Sequence, residues 1–139
     1  MEEYYINLEV AYQNEFPDVN YTKFPILSVI LTSKNTMNSK CMIMGEQDSK
    51  IEKSIKDQIK EIFEIEKDIK FIYFKTEEEL LNQLILSING KKLLGWNIIG
   101  FDIPYLTKRV KKILNIDLIL KTYLIACMII IQVGIQAAQ

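Results

Sequence analysis

The spacing of apolar residues changes repeatedly along the chain, and each change predicts an element. "EYYINLEVAY" (3–12) alternates and is rich in β-formers, which predicts a strand. "NEFPDVNYTKFP" (14–25) holds two prolines and two asparagines and reads as a loop. "ILSVILTS" (26–33) is a second strand, "KNTMNS" a turn and "KCMIMG" (40–45) a third strand, giving an antiparallel meander. Ser49 and Glu52 have the spacing of a capping box, and Ile51, Ile55, Ile59, Ile62 and Phe63 then recur at helical spacing, which predicts an amphipathic helix over 50–66. "IKFIYFK" (69–75) is a fourth strand. Thr76 and Glu79 repeat the capping pattern before Leu80, Leu81, Leu84, Ile85 and Ile88, a second helix ended by Asn89-Gly90. "KKLLGWN" (91–97) is a fifth, short strand, and residues 103–114 are a third helix with Ile103, Leu106, Val110, Ile113 and Leu114 on one side. The order β-β-β-α-β-α-β-α predicts an α/β fold, a mixed five-stranded sheet with flanking helices.

The end of the chain breaks this rhythm. From Thr122 to Gln139 the 18 residues carry no charge, close to the length of a membrane span. Three glutamines and several small residues dilute the segment, and no basic flank follows, which favours a buried terminal helix or strand, or the cut end of a longer gene. The domain organisation read from the sequence is therefore 1–114 as one domain and 115–139 as an apolar tail.

Composition narrows the chemistry. A chain of 139 residues builds one domain with a real core, and its net charge of −1 makes it no general attractor of nucleic acid, so any such contact has to be local. With no histidine, a His-based triad is excluded and a zinc site is disfavoured. The two cysteines, Cys41 and Cys127, stand far apart in apolar settings, which suits a reducing, cytoplasmic compartment. The acidic "MEEYYINLEV" start lacks the basic region of a signal peptide.

The most informative stretch is "GWNIIGFDIPYLTKRV" (95–110). Asp102 just before a helix, with Pro104 in its first turn, has a plain reading as a helix start. Trp96 by itself reads as core, and Lys108, Arg109, Lys111 and Lys112 as a solvated face. Taken together, the stretch resembles the second exonuclease motif of family B DNA polymerases of the phage and large-DNA-virus type. There a strand ends in Trp-Asn, a glycine loop follows, and Phe-Asp-x-Pro-Tyr opens a helix that continues to an Arg. "INLEVAYQNEFPDVNYTKFPI" (6–26) resembles the first motif, a strand bearing Asp-x-Glu and a loop with Phe-Pro-Asp. Motifs and intervening chain span residues 4–114.

The resemblance implies a ribonuclease H-like exonuclease fold and 3′–5′ proofreading with two divalent ions, Mg²⁺ or Mn²⁺, held by four carboxylates. It implies Glu9 and Asp102 as metal ligands, and Asn97, Phe101, Tyr105 and Arg109 as substrate-binding residues. The expected partners are a single-stranded DNA 3′ end and the remainder of a DNA polymerase. If viral, the setting is the infected host cell. This sequence departs from the pattern at two points. Asn7 stands where the motif has its first Asp, keeping the shape and one carbonyl oxygen without the charge. The third motif is absent, since after Leu114 the only acid is Asp117. The fold is thus expected to be incomplete at its C-terminus, ion binding weak and nuclease activity weak or absent. The alternative is a nuclease-dead domain that binds single-stranded DNA or a protein partner through Lys108–Lys112, Phe101 and Tyr105.

Overall fold

The computed structural model describes residues 2–10, 19–20, 22–64, 69–95, 98–125 and 128–137. The predicted Phe-Pro-Asp loop, Trp96, Asn97 and Cys127 lie outside these. The described strands are β1 (Glu3–Val10), β2 (Ile26–Ser33), β3 (Ser39–Met44), β4 (Ile69–Phe74), β5 (Lys92–Leu94), β6 (Ile116–Ile125) and β7 (Met128–Ala137). The helices are α1 (Ser49–Phe63), α2 (Glu77–Ile88) and α3 (Ile103–Leu114). The strands form one mixed sheet in the order β4-β3-β2-β1-β5-β7-β6.

Strand alternation sorts the core onto two faces. Ile6, Leu8, Val10, Val29, Leu31 and Met42 meet Leu80, Leu84, Ile88, Leu106 and Val110, so α2 and α3 cover one face. Ile30, Cys41 and Ile43 point the other way, against Ile55 and Ile59 of α1. β2 is covered on both sides, which explains its nearly continuous apolar run.

The sheet has two strands more than the five expected among the described residues, and both come from the tail. Leu118, Ile131 and Val133 are buried in the main core, and β7 pairs antiparallel with β5. The Gly90 N–H donates to the Val133 carbonyl at 2.7 Å, tying the turn after α2 to β7. The reason for the miss is local. β6 and β7 pair from Ile116↔Ala137 to Ile125↔Met128, and the two residues between them, Ala126 and Cys127, carry none of the Asn/Asp/Gly chemistry that announces a tight hairpin. No described helix is long and apolar enough to cross a membrane.

The helix starts follow local hydrogen bonding. The cap of α1 is Asp48 rather than the expected Ser49: its carboxylate accepts from the N–H groups of Lys50 and Ile51. Thr76 caps α2 as expected, accepting from the Glu79 N–H at 3.2 Å. Glu79 in turn accepts from the Lys75 N–H, one residue earlier than an ideal capping box.

Candidate active site

β5 pairs with β1 only from Glu3 to Tyr5, which leaves the Asn7–Val10 half of β1 open on that side. The chain beyond β5 turns back into this opening. Gly95 makes the close approach: a Cβ there would lie 3.0 Å from the Ile6 carbonyl oxygen and 3.6 Å from Asp102 Oδ2. Residues Ile98–Asp102 then form a single π-turn that runs into α3. Wide turns of this kind recur where a helix must aim a functional side chain.

Asp102 is aimed at β1. It occupies the capping position of α3 but has helical backbone angles and makes no capping bond. Its Oδ1 instead accepts from the Leu8 N–H at 3.3 Å. The helix-start explanation of Asp102 therefore does not account for its carboxyl. Only 5% of the residue is exposed. Burial pushes its carboxyl up to about 6, with the Leu8 N–H pulling partly the other way.

Leu8 is the central residue of Asn7-Leu8-Glu9. Asn7 and Glu9 are half-buried, and their register against Ile30 and Ser28 puts them on the α1 face of the sheet. Glu9 makes itself felt there. Burial first, then the charges of Glu9 and Glu52, push the Cys41 thiol up to about 12, which keeps this buried cysteine protonated and unreactive. Asp102 thus meets the backbone of β1 between the two side chains singled out on that strand.

The other expected site residues have different surroundings. Asn97 lies outside the described residues. Phe101 is half-buried with its ring centroid 5.3 Å from that of Tyr105. Tyr105 is fully buried, and its hydroxyl donates to the Phe24 carbonyl at 2.8 Å. Arg109 is buried against Glu77, with Nε–Oε2 and Nη2–Oε1 both at 2.7 Å, and Nη1 donates to the Thr22 carbonyl. Glu77 Oε2 also accepts from the Ile26 N–H at 2.7 Å. The polar groups of Tyr105 and Arg109 are therefore engaged in fastening the segment that leads into β2. Lys108 donates to the Val19 carbonyl at 2.6 Å, and Lys111 pairs with Asp117 at 3.2 Å.

Glu77 was hidden in the sequence. It opens the run Glu77-Glu78-Glu79 at a helix start, where acids ordinarily face solvent and the positive end of the helix. Only its partner, 32 residues away, shows that it is buried. Gly95 had a signal in the glycine before Trp96, but its contact with β1 is visible only in three dimensions.

Two Mg²⁺ ions together carry four positive charges, and this chain offers few ligands for them. Of the candidate donors, Glu9 and the neutral Asn7 amide lie on β1, and Asp102 reaches the backbone of that strand. Among the described residues no group of three or more His, Cys, Asp or Glu side chains stands close enough to hold a metal. These residues do not fit a two-ion centre.

The mixed sheet with helices on both faces, and an acidic residue brought from a following helix to the first strand, are consistent with an exonuclease domain of the ribonuclease H-like fold. Comparison with protein families agrees: the family described as DNA polymerase family B, exonuclease domain, matches residues 5–130. The chain belongs to this family. The match runs past α3 through β6 and into β7, beyond the span of the two motifs. A comparison with individual curated proteins found no match. Domains of the family bind DNA as parts of polymerases and generally use divalent metals.

Proposed function

We propose that this chain is a proofreading-type exonuclease domain whose metal centre is depleted, with weak or no 3′–5′ nuclease activity as it stands. The observation that carries the reading is the Asp102 carboxyl, which caps no helix and reaches β1 between Asn7 and Glu9. A buried carboxylate held away from its ordinary value fits a functional role. The missing charge at Asn7 fits a depleted one. Glu9 and Asp102 are the residues that would hold a single Mg²⁺ or Mn²⁺ ion, weakly. With only two of the four carboxylates of the family pattern, the chain would lack the second ion and the groups that position an attacking water. The single-stranded 3′ end of DNA remains the substrate class. The exposed Lys112 and the outward-facing Lys108 and Lys111 would carry its backbone contacts.

Calorimetric metal titration and digestion of an end-labelled single-stranded oligonucleotide test this. Asn7→Asp is expected to tighten Mn²⁺ or Mg²⁺ binding by roughly tenfold or more, the scale of one added charge–charge contact in a partly buried site. It is expected to restore little digestion. Robust metal-dependent digestion by the unaltered chain would refute the depleted centre. Unchanged metal affinity in Asn7→Asp would remove residue 7 from the site.

A further inference from the structure

β6 ends the sheet, so its outer backbone edge pairs with no strand among the described residues. Sheet edges are normally protected by shortness, a bulge, proline or charge. β6 has ten residues, no proline and an unbroken register along β7. Its charges are Asp117 and Lys121, opposite in sign and four residues apart, hence on the same face of the strand. Ile119 between them is 48% exposed, and Leu120 is 38% exposed.

We propose that this edge pairs with the same edge of a second copy of the chain, antiparallel about a two-fold axis through Ile119. That axis sets Asp117 of each copy opposite Lys121 of the other, so one favourable cross-strand charge pair is made twice. It also sets Leu118 opposite Leu120 and Ile119 against its own counterpart, covering exposed apolar surface. Moving the register by one residue on either side removes both charge pairs, so the charges select this axis. Asp117 already meets Lys111, but both side chains are about half exposed. Such a pair is weak and leaves the carboxylate able to take a second cation. A lone edge guarded against association carries charges that repel when the strand meets itself. The two on β6 attract.

Sedimentation of the full chain over a concentration series tests the proposal. The expected result is a reversible dimer. Lys121→Glu is expected to weaken it roughly tenfold or more, because two attractive pairs become two repulsive ones. Asp117→Lys combined with Lys121→Glu restores opposite charges across the axis and is expected to recover the dimer. A disulfide measures the axis directly. Opposed Cα atoms of an antiparallel pair lie ~4.5–5.5 Å apart, within disulfide reach. In a Cys127→Ser background, Ile119→Cys is expected to cross-link two chains under mild oxidation, and Thr122→Cys to remain uncross-linked. A chain that stays monomeric throughout overturns the proposal. So does a dimer indifferent to Lys121→Glu, or one that cross-links at position 122 and not at 119.

Discussion

Asp102 sits where a carboxylate is costly, and the cost depends on pH. Its ordinary value is 3.8 and burial raises it to about 6 in the folded chain. Between those values the folded chain holds a proton that the unfolded chain has released, so stability falls as pH rises through this window. The group's full cost is present above about pH 6, and none of it below about pH 4. Asp102→Asn keeps an oxygen for the Leu8 N–H and removes the charge. It is expected to stabilise the fold by about 1–3 kcal/mol at pH 8, with the difference vanishing near pH 4. Urea denaturation of both forms across that range measures this, and a variant less stable than the parent at pH 8 would contradict it. Arg109 presents the opposite case. Arg109→Ala leaves the Glu77 carboxylate buried without its cation and is expected to cost about 3–5 kcal/mol, read from the denaturation midpoint. A variant of ordinary stability with impaired DNA binding would support the substrate-binding role read from its motif.

Among elements, the π-turn between β5 and α3 carries the geometry of the site. Gly95→Ala would press a methyl against the Ile6 carbonyl at 3.0 Å. Backbone on one side and the Asp102 carboxyl on the other leave little room to yield. A loss of about 1–3 kcal/mol is expected, together with a shift in the pH dependence ascribed to Asp102. Unchanged melting and an unchanged pH profile would show the approach to be loose. Most elements up to Leu114 were legible in the sequence because their apolar periods are clean: Ile55 and Ile59 mark α1, and Leu80, Leu84 and Ile88 mark α2. The cap of α1 was misplaced by one residue because Asp48 and Ser49 are both competent caps, and only the bonds from Lys50 and Ile51 choose between them. The motif around Asp102 was legible as a pattern of residue types. Its target was not, since the acceptor role toward Leu8 joins residues 94 apart.

At the scale of the whole molecule, β6 and β7 join the main sheet and its core. The sequence presented 115–139 as an apolar appendage because β6 carries only two charges and β7 none, which hides the two-residue period that would have marked them. Ile131 and Val133 are in fact 3% and 1% exposed, in the main core. A chain ended after residue 115 would uncover them and open the edge of β5. It is expected to lose its cooperative thermal transition and to bind a hydrophobic dye, as a partly packed state does. A sharp transition in the shortened chain would show instead that β1–β5 and the three helices are sufficient.

The clasp around Glu77 also bears on time. It joins Arg109 to Thr22 and Glu77, and Glu77 to Ile26, across separations of 87, 32 and 51 residues. These side-chain bonds can close only where α2, α3 and the chain entering β2 already meet, so they are expected to form late in folding. Interactions absent from the folding barrier govern departure from the native state rather than arrival. Weakening the clasp, as in Arg109→Ala, is therefore expected to speed unfolding while leaving the folding rate nearly unchanged, which stopped-flow measurement of both rates checks.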